Sequence, residues 1–435
     1  MSSTSQTRSI NLDPVLDEQI DWRYKSFPAG PPTSIRAVGA RGWNVLSGEF
    51  MLPVMVLKDS ALRHNSRLMA TYCKRHDISL APHGKTSMSP QLLKMQLDDG
   101  AWGVTAATIS QVRVWRALGV GRVILANELV EPSSVRWVAS EIDADPGFAF
   151  YCLVDSVAGV RLLDSALGST TRDRRLQVLL EVGPAGGRTG SRTHEQAFEV
   201  ARAVSGSRSL VLAGVEAFEG VIDAGSLAGS LEAVDRFLRD MRALVVELDG
   251  AGLFADVPEV VVTAGGSAFP DRVVAELGRP WKLSRPVRIV LRSGCYLTHD
   301  AVHYHHLSPF GGRISETAPL EEALEVWGAV LSLPEPGLAL VGFGKRDVSY
   351  DLELPVPRFV KTNGPQPPLP LRGEASIFAL NDQHAFMKLG AETNLNVGDL
   401  VGCGISHPCT AFDKWRLIPV VDDAYNVIDA VLTYF

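Results

Sequence analysis

The sequence predicts an α/β protein: a (β/α)8 TIM-type barrel with a second, mostly-β domain. Two observations support this fold class. Between about residues 52 and 300, short apolar runs rich in β-forming residues alternate with longer amphipathic runs, the pattern of parallel strands covered by helices. After about residue 305, prolines cluster, helical periodicity fades, and short β-like runs such as LALVGFG and RLIPVVD follow one another.

The alternating region contains nine strand candidates, one more than an eight-stranded barrel holds. In chain order they are LPVMVL (52–57), ISLAPH (78–83), WGVTAAT (102–108), RVILANE (122–128), FAFYCLVD (148–155), LQVLLEV (176–182), LVLAGVEAF (210–218), EVVVTAG (259–265) and VRIVL (287–291). The stretches between them predict helices, since several open with Ser or Thr and close with Gly. A doubly wound open sheet is the competing architecture.

The first candidate adjoins a loop-rich N-terminal segment, so we assign it to the second domain and expect the barrel to begin at ISLAPH. The predicted domains are an N-terminal extension with a segment of the β domain (1–57), the barrel (58–304) and the C-terminal β domain (305–435).

Polar residues lie at or just after the carboxyl ends of the predicted strands. They are Lys85, Thr105, Asn127, Asp155, Arg188, Glu216, the trio Gly265, Gly266 and Ser267, and Tyr296. In (β/α)8 enzymes this face carries the active site, so the sequence predicts an active site here.

Composition excludes several classes of function. The net charge is −7 and no basic block is present, which argues against a nucleic-acid partner. The sequence contains no run of about 18 apolar residues, so no membrane span is predicted. The polar N-terminus lacks the apolar core of a secretory signal, so we expect a cytoplasmic protein whose five cysteines are free thiols.

Lys85, in the stretch LAPHGKTSM, is the first candidate for chemistry. It follows an apolar strand, where partial desolvation makes an amine more nucleophilic. His83 lies two residues upstream on the same side of an extended segment, and Gly84 would leave room beside the chain. The pattern favours a lysine that forms a Schiff base, with an ordinary solvated loop lysine as the alternative.

Two glycine-rich turns are candidates for binding an anion. Gly265, Gly266 and Ser267 follow a late strand and precede a predicted helix, where backbone N–H groups can bind phosphate. Arg188 stands between glycines after another strand, where its guanidinium could reach a phenolate or carboxylate oxygen. An ordinary βα turn and a surface arginine are the alternatives.

His407 and Cys409 are the candidate metal ligands. Their spacing of two residues puts both side chains on one side of an extended segment, and imidazole with thiolate favours zinc. With two local ligands, a catalytic site with open positions is more economical than a closed structural one, and an unrelated histidine and buried cysteine are the alternative. The histidine-rich stretch 298–309 lacks a carboxylate or cysteine in tight register, so we interpret it as a polar connecting segment.

These pieces together resemble the D-serine dehydratase and D-threonine aldolase group, including amino acid deaminases, among the alanine racemase-like (fold-type III) pyridoxal-phosphate enzymes. The matching stretches run from about residue 45 to the C-terminus. They are PHGKT (82–86), GVTAAT (103–108), ILANE (124–128), EVGPAGGRTG (181–190), GVEAFEG (214–220), TAGGS (263–267), RSGCY (292–296) and SHPCTAFDKW (406–415).

The resemblance implies two cofactors, pyridoxal 5'-phosphate and Zn²⁺. Lys85 matches the lysine that carries pyridoxal phosphate, and Arg188 matches the arginine near its phenolic oxygen. Gly265, Gly266 and Ser267 match the phosphate turn, with Tyr296 close by. His407 and Cys409 match the zinc ligands of the dehydratases, whereas aldolases have an aspartate at the second position and typically use manganese or magnesium. A homodimer with active sites at the interface is also implied.

The resemblance therefore implies a lyase that converts D-serine or related D-3-hydroxy amino acids to a 2-oxo acid and ammonia. The alternative is a metal-dependent D-threonine aldolase, which would release glycine and an aldehyde. A third hypothesis is a non-catalytic protein that holds pyridoxal phosphate, although such a protein has no use for His407 and Cys409.

Overall fold

The computed structural model describes residues 10–168, 174–364 and 366–435, so residues 1–9 of the predicted N-terminal extension lie outside it. The chain divides into two compact units. The first contains Ala70–Lys85 and Gln96–Gly294. The second contains Asn11–Met69, Thr86–Met95 and Cys295–Phe435.

The strands, in chain order, are β1 (Gln19–Ile20), β2 (Thr33–Ser34), β3 (Val54–Lys58), β4 (Ser79–Leu80), β5 (Val104–Ala106), β6 (Arg122–Glu128), β7 (Ala149–Val154), β8 (Leu176–Val182), β9 (Leu210–Ala217), β10 (Val260–Ala264), β11 (Val287–Leu291), β12 (Leu324–Glu335), β13 (Leu338–Val341), β14 (Val356–Lys361), β15 (Leu369–Pro370), β16 (Ala375–Leu380), β17 (Ala385–Leu389), β18 (Leu400–Gly404), β19 (Leu417–Val421) and β20 (Val427–Leu432). The α-helices are α1 (Asp13–Leu16), α2 (Asp59–Arg75), α3 (Pro90–Asp98), α4 (Ile109–Ala117), α5 (Pro132–Ala144), α6 (Val157–Leu167), α7 (His194–Ser205), α8 (Leu227–Gly250), α9 (Pro270–Leu277), α10 (His303–Leu307) and α11 (Cys409–Phe412).

The first unit is built on one parallel sheet in the order β4-β11-β10-β9-β8-β7-β6-β5. Its two end strands approach each other, because His83 forms a parallel bridge with Thr105 and the Thr105 N–H donates to the Pro82 carbonyl at 2.9 Å. The sheet therefore curls on itself as a TIM-type barrel does. The predicted barrel, with its first strand at ISLAPH, is confirmed over the competing open sheet.

Local sequence explains these elements. The strands are apolar on both faces because helices cover the sheet; all five residues of β10, for example, are buried. Four of the helices begin with a side-chain cap, in which a Ser or Thr oxygen accepts the backbone N–H three residues later. The capping residues are Thr108, Ser156, Thr193 and Ser226.

The second unit is mostly antiparallel β-structure, as predicted. Its main path runs β15-β14-β18-β12-β13-β17-β16. The LPVMVL run forms β3, which pairs antiparallel with β12 and parallel with β19. Among the described residues, no helix is long and apolar enough to cross a membrane.

Gly214 allows β9 to lie against β10 in the barrel. A Cβ atom on this residue would lie 1.7 Å from the Val261 carbonyl oxygen, a backbone atom that cannot swing aside.

We expect Gly214→Ala to lower the free energy of unfolding by about 3 kcal/mol or more, measured by urea denaturation. Gly250, at the end of α8, is the matched control, because a Cβ atom there would meet no other atom within 4 Å. Gly250→Ala should stay within about 1 kcal/mol of wild type, and equal effects of the two substitutions would contradict the packing argument.

Candidate active site

Lys85 lies a few residues beyond β4, at the carboxyl-end edge of the barrel sheet. It is half-buried in a single 3₁₀ turn, Gly84–Thr86, that follows the bridge between His83 and Thr105. Gly84 does not leave the space expected from the sequence, because a Cβ there would lie 2.8 Å from the buried Trp115 ring. The glycine is instead needed for the chain to pack against this indole, which supports the turn that holds Lys85.

A group of cations surrounds His83 in the first unit. Burial, and then the positive charges of Lys85, Arg292 and Arg188, hold the pKa of His83 well below its ordinary value. Its Nδ1 is buried and has no hydrogen-bond partner among the described residues. An imidazole kept neutral among three cations marks a region of positive potential, which fits a cofactor with anionic phosphate and phenolate groups.

Arg188 is exposed, and its guanidinium lies 4.6 Å from the centre of the Phe218 ring. Cation–π contact of this kind holds an arginine in place without neutralising it. The guanidinium thus keeps its charge available for an anionic ligand.

Arg292 anchors the polar interior of this edge, a role that the sequence analysis missed. It is 4% exposed, contacts Glu216 in an ion pair, and donates to the Thr263 hydroxyl at 2.8 Å and to the Ala217 carbonyl at 3.0 Å. Burial raises the pKa of Glu216 to about 6, and Arg292 opposes that shift. The signals in the sequence are the position of the arginine directly after a buried strand and its place in the matching stretch RSGCY (292–296).

The predicted phosphate turn has an unexpected partner in Glu219. This fully buried carboxylate accepts the Gly265 and Gly266 N–H groups, each at 2.9 Å. Gly265 has a φ of +105°, the left-handed conformation that favours glycine. Two of the donors expected to face a phosphate are therefore engaged by a carboxylate, and the assignment of the Gly265–Ser267 turn stays a prediction.

In the second unit, His407 and Cys409 lie close to each other. His407 Nδ1 is 2.6 Å from Asp351 Oδ2, and the Thr410 hydroxyl donates to the other oxygen of the same carboxylate at 2.7 Å. Asp351, another residue that the sequence analysis missed, thus orients the imidazole through its Nδ1. A carboxylate behind a histidine is the usual support of a metal-binding imidazole.

The neighbours of Cys409 make its thiol more acidic. Its Sγ lies 3.4 Å from the Cys295 sulfur and 3.6 Å from the Thr86 hydroxyl oxygen. The contacts with Cys295 and then His407 outweigh burial and lower the pKa of Cys409 well below its ordinary value. Burial lowers the pKa of His407, but the contacts with Cys409 and Asp351 outweigh burial and raise this pKa to about 9. A thiolate beside an oriented imidazole fits zinc.

Within the described ranges, no third ligand completes this pair. His407 and Cys409 do not form, with any third His, Cys, Asp or Glu of those ranges, a set whose donor atoms all lie within 4.8 Å of one another. The geometry is thus compatible with a site that keeps open positions.

The remaining predicted site residue, Tyr296, is buried in the second unit on a 3₁₀ turn, Cys295–Leu297. In the histidine-rich stretch, His299 and Asp300 are both 3% exposed, whereas His305 and His306 are exposed. Asp300 accepts the backbone N–H of His407 at 3.2 Å and so helps to hold the metal-ligand loop.

Comparisons with known proteins agree with this arrangement. Residues 58–252 match the family model "Alanine racemase, N-terminal domain", and residues 323–421 match "Putative serine dehydratase domain". A 3-hydroxy-D-aspartate aldolase of Paracoccus denitrificans (strain Pd 1222) is 26% identical over 309 residues, 71% of this chain and 75% of the relative. The structure of D-threonine aldolase from Filomicrobium marinum has a TM-score of 0.72 at 21% identity, covering 88% of this chain and 95% of that one. For D-threo-3-hydroxyaspartate dehydratase from Delftia sp. HT23 the TM-score is 0.69 at 18% identity, with 90% and 99% coverage.

With both domain types present in this order, the chain belongs to the fold-type III, alanine racemase-like family of pyridoxal-phosphate enzymes. The resemblance inferred from the motifs is confirmed. The matched relatives include both aldolases and a dehydratase, so the family membership leaves the reaction to be argued from the residues.

Removing one partner of the buried ion pair between Arg292 and Glu216 should lower the free energy of unfolding strongly. Arg292→Met leaves the Glu216 carboxylate buried without its cation, so we expect a loss of about 3–5 kcal/mol in the free energy of unfolding. Arg36→Gln, which breaks an exposed pairing with Asp13 and Asp17, is the matched control and should cost at most about 1 kcal/mol.

Adding Glu216→Gln to Arg292→Met removes the stranded charge and should restore part of the loss. Urea denaturation of wild type, Arg292→Met, Glu216→Gln and the double substitution measures the coupling energy. If Arg292→Met costs no more than Arg36→Gln, the pair does not carry the buried charge as argued.

Proposed function

We propose that the protein is a pyridoxal-phosphate- and zinc-dependent dehydratase of D-serine or a related D-3-hydroxy amino acid, which releases a 2-oxo acid and ammonia. The observation that carries the proposal concerns Thr86. This residue directly follows Lys85 in the chain, and its hydroxyl lies 3.6 Å from the Cys409 sulfur. The candidate metal-binding cysteine therefore contacts the residue that directly follows the candidate cofactor lysine in the chain.

The proposed cofactor residues are Lys85, Arg188, Gly265, Gly266, Ser267 and Tyr296. Pyridoxal phosphate, when bound, supplies an electron sink for the charge left at the substrate's α-carbon. The Lys85 amine takes the α-proton, a task for which a half-buried amine at a strand end is well placed. His83, kept neutral by its surroundings, adds no positive charge beside Lys85.

The proposed metal ligands are His407 and Cys409. Zinc, when bound, supplies a Lewis acid that makes the β-hydroxyl a better leaving group. Asp351 holds the His407 ring in orientation, and Cys295 and Thr86 stabilise the thiolate of Cys409. These contacts prepare both donors before the metal arrives.

Cysteine at position 409 favours the dehydratase over the aldolase, because a thiolate prefers zinc to the harder manganese and magnesium ions. The aldolase is the second candidate, since relatives at 26% and 22% identity are named 3-hydroxy-D-aspartate aldolase and D-threonine aldolase.

A panel of D-3-hydroxy amino acids, assayed with and without a chelator, separates the two reactions. A 2-oxo acid with ammonia supports the dehydratase, and glycine with an aldehyde supports the aldolase.

Lys85 should be the attachment point of the cofactor. After borohydride reduction of the holoenzyme, we expect peptide mapping to find the pyridoxyl group on Lys85. Lys85→Ala should lose this label and at least about 10³-fold in turnover. Lys74→Ala, an exposed lysine on α2, is the control and should behave as wild type. Equal labelling of the Lys85→Ala protein would refute the assignment.

If His407 and Cys409 bind zinc, removing the Cys409 thiol should lower zinc binding and the dehydration rate without removing the cofactor. Cys409→Ala should bind less zinc, measured by elemental analysis, and lose at least about 100-fold in dehydration rate. The absorbance of the bound cofactor should persist, because Lys85 is intact. Cys73→Ala, a buried thiol of the first unit, is the control. Full activity after complete removal of metal would exclude zinc from the reaction.

We further propose that the protein is a homodimer, as the family resemblance implies. Light scattering after size-exclusion chromatography measures this directly, and a monomer with full activity would contradict it.

A further inference from the structure

Glu219 supports the glycine turn after β10 from inside the first unit. Its side chain is completely buried, and its two oxygens accept the N–H groups of Gly265 and Gly266, each at 2.9 Å. Gly266 and Ser267 are only half-buried. Glu219 therefore contacts the turn on its core side, and the carboxylate does not occupy the side of the turn that faces solvent.

Two further side chains hold the same turn. The Ser293 hydroxyl, also buried, donates to the Gly266 carbonyl at 2.7 Å. The Phe218 ring packs against Gly266, because a Cβ atom on this glycine would lie 3.0 Å from the ring. Together with the two N–H groups that Glu219 accepts, three consecutive peptide groups between Ala264 and Ser267 are each hydrogen-bonded to a buried side chain.

Two adjacent glycines make such support necessary. Gly265 has a φ of +105°, and a glycine backbone has more conformations available than that of any other residue. An anion is bound well by backbone N–H groups only when those groups already point at it, because ordering a loop on binding costs entropy. A buried side chain that fixes the backbone beforehand removes this cost.

We propose that Glu219 is a positioning residue for the phosphate group of the cofactor, because it holds the Gly265–Ser267 turn in the conformation that binds phosphate. The inference rests on the proposed function, in which this turn binds the phosphate of pyridoxal phosphate. Glu219 acts through the backbone of the turn. Both of its oxygens are needed, since each accepts a different N–H group.

The charge of Glu219 works in the opposite direction to its positioning role. Burial raises the pKa of Glu219, but the N–H groups of the turn and the Arg292 guanidinium oppose the shift and favour the carboxylate. A negative charge behind the turn repels a phosphate. Neutralising Glu219 therefore strengthens phosphate binding if repulsion dominates, and weakens it if the support of the turn dominates as we propose.

The test compares two ligands of the full-length protein after hydroxylamine has removed its cofactor. Pyridoxal phosphate and pyridoxal differ only in the phosphate, and the absorbance of the bound ligand measures both affinities. We expect wild type to prefer pyridoxal phosphate. Glu219→Gln places an amide donor against one N–H group of the turn, so the affinity for pyridoxal phosphate should fall at least about tenfold. The affinity for pyridoxal should stay near its wild-type value, so the preference falls with it.

A second variant keeps the test decisive if Glu219→Gln does not fold. Ser293→Ala removes the hydrogen bond to the Gly266 carbonyl and should lower the preference for pyridoxal phosphate about threefold or more. Glu276→Gln is the matched control, because Glu276 is a buried carboxylate on α9 that pairs with Arg239 and Arg279 instead of the turn. Its substitution should lower stability and leave the preference unchanged.

The inference is overturned if wild type binds pyridoxal phosphate no more tightly than pyridoxal. It is also overturned if the preference is unchanged or higher in Glu219→Gln, or in Ser293→Ala where Glu219→Gln does not fold. In that second case wild type still binds the cofactor through its phosphate, and the proposed function stands without the inference. A wild-type protein that binds neither ligand contradicts the proposed function itself and the inference with it.

Discussion

The parallel register of the eight barrel strands is the constraint on which the first unit depends. It brings the carboxyl end of every strand to one edge, and charged side chains there become partly or wholly buried. A buried charge is tolerated only when an opposite charge or a set of donors compensates it. Arg292 and Glu216 compensate each other, and the N–H groups of Gly265 and Gly266 compensate Glu219.

Two places along this edge carry an excess of charge within the described part of the chain, and the two have opposite sign. Around His83, Lys85 and Arg188 add positive charge to that of Arg292, which Glu216 compensates, and the remaining excess fits an anionic cofactor. At Glu128, Asp155 and Glu181 the excess is negative, and a proton held by Glu128, whose pKa burial raises to about 8, reduces it. Strand β8 and the loop after it contribute to both, through Glu181 and Arg188. The need to compensate buried charge therefore explains both the ion pairs and hydrogen bonds of the barrel and the places where a charged ligand would bind.

The second unit follows this rule with softer groups. The contacts with Cys295, His407 and Thr86 lower the pKa of the Cys409 thiol, and Asp351 holds the imidazole. Sequence reasoning recognised His407 and Cys409 because they lie two residues apart. It missed Asp351 and Cys295, which come from 56 and 114 residues away. Glu219 was missed for the same reason, since 46 residues separate it from Gly265.

The sequence by itself determined the barrel and the mostly-β second unit, since apolar periodicity and capping residues are local properties of the chain. It also determined the family, because the motifs around Lys85, Arg188 and His407 are contiguous stretches. Only the tertiary structure decided which buried charges are compensated by an opposite charge or by hydrogen-bond donors and which are not. It assigned Glu219 to the glycine turn, filled the space beside Gly84 with Trp115, and gathered three acids from three strands. Burial and pairing depend on residues distant in the chain, and no local pattern encodes them.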